Sequence, residues 1–201
     1  MSYYTKYNQL LLKRPLVTNM VTTGILFGSG DFLAQRLFSQ NNKKYDYPRT
    51  LRAIAYGGIL FAPLGDKWYK LLNRLTVPKS LSWSDKTHNR VNTLLRVGVD
   101  QLGFAPLIAI PMYYSAMTVL ERSPDPVNDI SAKLREHWLP TLKTNWLVWP
   151  AFQTLNFYLV PVQLRLLSVN LISIVWNCYL SYVLNDQKSH LLHVSEEEVM
   201  V

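Results

Sequence analysis

The chain has 201 residues, enough for one domain with a sizeable core, and 49% of them are apolar whereas only 17% are charged. Its net charge is +8. Residues 1–100 carry all of the excess positive charge, because they contain 15 Lys and Arg but only 5 Asp and Glu. The basic residues bracket apolar segments without any zinc-ligand spacing or RRM-like motif, so we expect a lipid bilayer as partner and no nucleic-acid contact.

Residues 1–14 contain no acid, and Tyr4, Tyr7 and Leu11 recur at helical spacing. The segment lacks the apolar core and the small-residue cleavage site of a secretory signal. We therefore predict an amphipathic N-terminal helix that lies at the membrane interface.

The first predicted span covers about residues 17–37 and carries Gly24 and Gly28, a spacing of small residues that lets membrane helices approach closely. Asp31 and Gln35 extend the same face. An ionisable residue inside a membrane helix is expected to face the bundle, whereas one near the helix end is hydrated. The sequence leaves both interpretations of Asp31 open.

The second predicted span covers about residues 51–72, where Gly57 and Gly58 are close-packing positions. The glycine faces of the first two spans also favour a homo-oligomer. Trp68 and Tyr69 follow a charged pair near the end of this span, so we expect their rings at the depth of the lipid headgroups.

The third predicted span covers about residues 92–120, of which 102–120 are 19 in a row without a charge. Arg96 and Asp100 are four residues apart on one helix face and are able to pair. Prolines inside the second and third spans would break soluble helices, but within a membrane bundle they predict kinks.

A connector follows, in which a short amphipathic helix is predicted over 129–138. Two uncharged runs of 21 and 20 residues then cover 144–164 and 166–185. About 20 apolar residues cross a bilayer as a helix, so we predict two more spans, joined by a turn at Pro161 and Arg165.

Together these segments predict an all-α fold, a multi-span transmembrane helix bundle of four to five spans with an amphipathic N-terminal helix. Residues 1–185 form its single transmembrane domain. The polar tail over 186–201, which contains a run of three glutamates, is predicted to be disordered.

A catalytic centre would need titratable groups that converge, and the sequence shows no such set. His190 and His193 have a spacing that can bind a metal ion, but no third ligand lies near them in the sequence. The single cysteine, Cys178, lies in an apolar run and is expected to be an inert thiol. We therefore expect no catalysis, no cofactor and no metal site.

A polar stripe recurs on the apolar segments. One face of the last predicted helix carries Asn170, Ser173, Asn177 and Ser181, and one face of the helix before it carries Trp146, Trp149, Gln153 and Asn156. Unpaired amides in lipid are costly, so these faces should turn inward. There they either bond to each other in packing or line a water-filled path.

Interhelical hydrogen bonds in membranes contribute only about 0.6 kcal/mol each. Packing alone is therefore a weak reason for so many polar residues, although it is the favoured interpretation for any single Asn or Ser. For Asp31, Arg96 and Asp100 we favour a path or gate. The candidate pathway-lining or gating residues are Asp31, Gln35, Arg96, Asp100, Gln153, Asn156, Asn170 and Asn177. Gly24, Gly28, Gly57 and Gly58 are assigned to helix packing, and Pro161 and Arg165 to the turn.

The pattern in the C-terminal third resembles the signature of the Mpv-seventeen and peroxisomal membrane protein family. It is carried by Trp146, Trp149, Pro150, Gln153, Asn156, Phe157, Val160, Pro161, Arg165, Asn170, Trp176, Leu180 and Ser181. Upstream, Gly30-Asp31, the segment 65–69, and Val99-Asp100-Gln101 also fit. The resemblance covers about residues 7–182 and is strongest to the fungal, stress-inducible members.

The resemblance implies a small multi-span membrane protein without a cofactor, usually with four spans, in the mitochondrial inner membrane. The peroxisomal membrane is the alternative location. Family members are associated with channel-like conductance, membrane potential, metabolite homeostasis, stress response and mitochondrial DNA maintenance. We therefore expect a channel or pathway for small solutes or ions, and a non-transporting membrane scaffold is the alternative.

Overall fold

The computed structural model describes residues 3–37, 44–78 and 83–176, and in these ranges the chain forms six helices and no strand. The helices are α1 (Tyr3–Lys13), α2 (Pro15–Leu37), α3 (47–74), α4 (Asp85–Leu120), α5 (Pro126–Leu159) and α6 (Val162–Trp176). The all-α class is confirmed. Asn177, Cys178, Ser181, His190, His193, the end of the last predicted span and the predicted tail lie outside the described residues.

Two of the helices contain wide turns, each of which ends just before a proline. In α3 the wide segment is Tyr56–Phe61, followed by Pro63, and in α4 it is Asp100–Ala109, followed by Pro111. Proline lacks an N–H, and its ring clashes with the carbonyl four residues back. Hydrogen bonds to the fifth residue back relieve that clash, so the helices continue where the sequence predicts kinks.

Helices α2 and α3 touch backbone to backbone through their glycines. A Cβ built on Gly58 would lie 3.0 Å from the carbonyl oxygen of Met20 and 3.6 Å from the Cα of Gly24. One built on Gly57 would lie 2.6 Å from Cγ of Phe27. The glycine faces are therefore buried within one chain and do not offer the predicted oligomer surface, although an oligomer formed elsewhere stays a prediction.

Helix α5 differs from the expectation of a short helix over 129–138 and a separate span over 144–164. It is one helix of 34 residues that includes Pro140 and Pro150. Asp125 caps its start by accepting a hydrogen bond from the backbone N–H of Asn128. It ends at Leu159, five residues before the predicted boundary, because the residue before Pro161 adopts an extended conformation.

The surface of the bundle is apolar and much of its interior is polar. Large apolar side chains on every helix face outward, and Leu147 is 82% exposed. By contrast, Asn156 and Asn170 are each 1% exposed. A soluble monomer rarely exposes so much apolar surface, so this distribution fits a protein surrounded by lipid.

By length and composition, α4 (Asp85–Leu120) is the one helix among the described residues that is long and apolar enough to cross a membrane. Helix α6 is apolar, but its described part is shorter. The number of spans, four or five, and the interfacial position of α1 stay predictions.

The glycine contacts predict a difference between two alanine substitutions. Gly57→Ala should lower the melting temperature of the purified protein, because the new methyl group overlaps Phe27, and overpacking typically costs about 1–3 kcal/mol. Gly103→Ala is the matched control, since nothing lies within 4 Å of the position that its Cβ would take, and it should leave the melting temperature unchanged or raise it. Equal melting temperatures for the two variants would refute this packing.

Candidate functional site

A buried carboxylate lies at the centre of the bundle. Asp100 is the first residue of the wide segment of α4 and is 4% exposed. Its Oδ1 accepts a 2.7 Å hydrogen bond from Nε1 of Trp68. Its Oδ2 accepts bonds of 2.7 Å from Nε2 of Gln101 and 3.0 Å from Nε2 of Gln153. All three donors are uncharged, so the carboxylate has hydrogen-bond partners but no cation among them.

Amide groups extend this cluster along α5. Nε2 of Gln153 also donates to the hydroxyl of Tyr69 at 3.0 Å, and Nδ2 of Asn156 donates to Oε1 of Gln153 at 3.0 Å. Nδ2 of Asn145 donates to Oε1 of Gln101 at 2.9 Å. The network therefore connects α3, α4 and α5 through side chains alone.

The network borders a cavity of about 100 Å³ between the helices. Its polar lining is formed by Asp100, Gln101, Thr141, Asn145, Gln153 and Ser173, and aromatic rings of Phe27, Tyr56, Phe104, Tyr113 and Trp149 form much of the rest. The indole N–H of Trp149 is buried and has no hydrogen-bond partner. A cavity of this size with these polar groups has room for several water molecules or a small solute.

A second buried carboxylate, Asp31, lies away from the cavity. It is 5% exposed, and its Oδ1 accepts a 2.8 Å bond from Nε of Arg49. Its Oδ2 accepts bonds from Oγ1 of Thr50 at 2.7 Å and Nε2 of Gln35 at 2.8 Å. Asp31 therefore faces the bundle as one half of an ion pair between α2 and α3, and the interpretation of a hydrated helix end is wrong.

Arg96 and Asp100, whose spacing allows a pair, have other partners. Nε of Arg96 donates to the carbonyl of Leu75 at 3.2 Å, and its Nη2 donates to the carbonyl of Asn73 at 3.1 Å. Arg96 turns to these carbonyls because the C-terminus of α3 leaves them without helical partners. Asp100 is occupied instead by the neutral donors described above.

Arg165 at the predicted turn has a similar capping role. It is 6% exposed, donates from Nε to the carbonyl of Val160 at 3.1 Å and from Nη2 to the carbonyl of Phe157 at 3.1 Å. Its Nη1 donates to Oδ1 of Asn73 at 3.2 Å. Burial lowers the pKa of this guanidinium, and the nearby charge of Arg96 lowers it further, whereas Tyr69 opposes the shift.

The predicted site residues therefore separate into groups. Asp100 and Gln153 line the cavity, and Asn156 donates a hydrogen bond to Gln153. Asn170 lies elsewhere in the bundle and donates to Oγ1 of Thr23 at 2.6 Å. Asp31, Gln35 and Arg96 also lie outside the lining, and Asn177 is not among the described residues.

Several members of the site were misplaced or missed from sequence. Trp68 and Tyr69 belong to this network, because Trp68 donates to Asp100 and Tyr69 is buried beside Gln153, and the headgroup depth of their rings stays a prediction. Trp146 was assigned to an inward face, but it is 42% exposed and only its N–H reaches inward, to the carbonyl of Gln101. Gln101 was missed, although its position beside Asp100 in a matching motif was an available signal.

Comparison with known proteins gives extensive similarity. Protein SYM1 of Debaryomyces hansenii is 55% identical over 205 aligned positions, which cover 100% of this chain and 99% of that protein. The chain belongs to the Mpv17 / PMP22 family. The family model itself matches residues 118–181.

Two further SYM1 proteins are similar to this chain over most of its length. Protein SYM1 of Candida albicans is 54% identical over 92% of this chain and 98% of its own length. Protein SYM1 of Saccharomyces cerevisiae is 49% identical over 88% of this chain and 87% of its own length. No solved structure is significantly similar to the chain. The predicted family is confirmed, and membership supports a membrane protein of mitochondria or peroxisomes.

The described residues contain no group of three or more His, Cys, Asp or Glu side chains that could hold a metal ion. The prediction of a non-enzymatic protein stays a prediction. The geometry provides a cavity lined mostly by aromatic and apolar groups, with one carboxylate and several uncharged polar side chains in its lining.

The amide network predicts that Gln153→Leu destabilises the protein strongly. The leucine would leave the hydroxyl of Tyr69 and Nδ2 of Asn156 without a partner and would remove one donor from Asp100. Each buried polar group left unpaired costs about 1–3 kcal/mol. Gln163→Leu, at an exposed position in the first turn of α6, is the control. Thermal unfolding followed by tryptophan fluorescence should show a much lower melting temperature for Gln153→Leu only. Equal melting temperatures of the two variants would contradict the network.

Proposed function

We propose that the protein is a multi-pass protein of the mitochondrial inner membrane that forms a channel or pathway for small solutes or ions. The observation that carries the proposal is the cavity beside Asp100, a mostly apolar space with several polar side chains in its lining, between helices whose outer surface is apolar. Ionisable residues inside membrane bundles mark solute and ion pathways. The peroxisomal membrane remains the alternative location.

The choice of residue favours a pathway over packing alone. Asp100 accepts hydrogen bonds from three uncharged donors and has no cation among them. An ionisable residue inside a membrane bundle is costly, whereas a neutral amide would serve packing alone. A role in contact with water or solute would explain why an acid is buried at this position.

The family resemblance extends the proposal to physiology. We propose that the pathway serves membrane potential and metabolite homeostasis under stress, and through them the maintenance of mitochondrial DNA. Four or five helices of this chain would span the membrane. The rival function, a membrane scaffold without transport, would give the same fold but no flux.

The test uses two buried carboxylates that differ in position. Asp100→Asn should lower the cation-to-anion permeability ratio of the purified protein in planar bilayers, because a carboxylate beside a pathway favours cations. Asp31→Asn should leave that ratio unchanged, because Asp31 lies outside the cavity and is paired with Arg49. The measured quantity is the reversal potential in asymmetric salt.

Two outcomes would contradict the proposal. Wild-type protein that inserts into bilayers but carries no current and releases no trapped solute would favour the scaffold. A current whose reversal potential is the same in wild-type and Asp100→Asn protein would place the pathway away from this cavity. Protease protection of each variant, reconstituted in lipid vesicles, checks that it inserts normally.

A further inference from the structure

Two arginines from different helices meet at one residue at one end of the bundle. Arg96 of α4 donates to the backbone carbonyl of Asn73, and Arg165 at the start of α6 donates to its side-chain oxygen. The two charges are close enough for Arg96 to lower the pKa of Arg165. Like charges repel, so this arrangement calls for a compensating negative charge.

Helix capping accounts for only part of that compensation. The two guanidinium groups lie at the C-termini of α3 and α5, where each helix dipole supplies roughly half a negative charge. Two full positive charges therefore keep an excess of about one charge. An arginine also has five N–H donors, and Arg96 uses donors on only two of its nitrogens for these carbonyls.

No carboxylate among the described residues pairs with either arginine. Asp100, one turn from Arg96, accepts hydrogen bonds from neutral donors within the bundle. Asp66 of α3 is bonded to Lys70 and to Asn19. The excess positive charge is therefore not neutralised by the described part of the chain.

The position of Arg96 and Arg165 in the bundle indicates which kind of anion can reach them. Arg96 is partly exposed, whereas Arg165 is buried. Leu71 and Leu94, close in sequence to Asn73 and Arg96, are apolar and exposed. A cation beside outward-facing leucines at the end of a membrane bundle lies at the depth of phospholipid headgroups.

We propose that Arg96 and Arg165 form a binding site for a phosphate group. In this site the partly exposed Arg96 contacts the anion, and the buried Arg165 adds its positive charge. The planar guanidinium fork binds phosphate oxygens in pairs, which an ammonium group does not. The phosphate belongs either to the headgroup of an anionic phospholipid or to a free phosphate. The site is separate from the cavity and does not depend on transport.

The experiment measures the melting temperature of the full chain in neutral detergent while one ligand is titrated. The four titrants are short-chain phosphatidylglycerol, short-chain phosphatidylcholine, sodium phosphate, and sodium chloride at matched ionic strength. Arg96→Gln removes the charge and the fork. Arg90→Gln removes an equal charge from an exposed position on the same helix and is the matched control.

We expect wild-type and Arg90→Gln protein to be stabilised by phosphatidylglycerol at lower concentrations than by phosphatidylcholine. In Arg96→Gln the half-saturating concentration of phosphatidylglycerol should rise about tenfold, since one charge-assisted bond contributes about that factor. If sodium phosphate stabilises with the same dependence on Arg96, the ligand is a free phosphate. If only the phospholipid does, the ligand is the headgroup.

The proposal fails if wild-type protein shows the same melting temperature with both phospholipids and with both salts. It also fails if Arg96→Gln and Arg90→Gln weaken the stabilisation equally, because the effect would then come from net charge alone. Should Arg96→Gln not fold, the wild-type comparison still decides. Arg96→Lys then adds a test of the fork, since it keeps the charge and should bind phosphate less tightly than wild type.

Discussion

The carboxylate of Asp100 holds three helices together through donors that carry no charge. Trp68 reaches it from α3, Gln153 from α5 and Gln101 from its own helix. Each of these polar groups would be costly to bury in lipid without a hydrogen-bond partner. The cluster therefore joins α3, α4 and α5, and it lines the cavity between them.

The cluster depends in turn on the wide segment that begins at Asp100. Asp100 and Gln101 are neighbours in sequence, yet both are buried. The wider turn rotates successive residues by less than a regular helix does, so adjacent side chains can share the inner face. Pro111 at the end of this segment makes the wide turn favourable, because it has no N–H for a regular helical bond. The missing N–H of proline thus favours the wide turn, and the wide turn places Asp100 and Gln101 together in the lining of the cavity.

Sequence patterns predicted the contacts that depend on periodicity. The glycine faces of α2 and α3 follow from a spacing of four, and the buried amides of α5 and α6 follow from helical periodicity. The family was predicted from the residues between Trp146 and Ser181, and the extensive similarity of the SYM1 proteins confirms it.

Contacts that depend on a choice among partners were not predicted from sequence. Arg96 could pair with Asp100 on its own helix or cap carbonyls of α3, and only the packing of α3 beside α4 decides between them. Trp68 was predicted at the interface because it follows charged residues, and its hydrogen bond to Asp100 depends on the packing of α3 against α4. The continuity of α5 through Pro140 and Pro150 likewise depends on its neighbours, since a proline in isolation favours a break.

The central claim is that the cavity beside Asp100 contains water and belongs to a path across the membrane. Reaction of single cysteines with a charged, water-soluble methanethiosulfonate tests it most directly, in a Cys178→Ser background. Ser173→Cys lies in the cavity lining, and Leu107→Cys faces outward on α4. The account predicts that the first reacts in intact vesicles and that its modification reduces solute flux, while the second, in lipid, does not react. A cysteine at position 173 that stays unmodified in folded, inserted protein would contradict it.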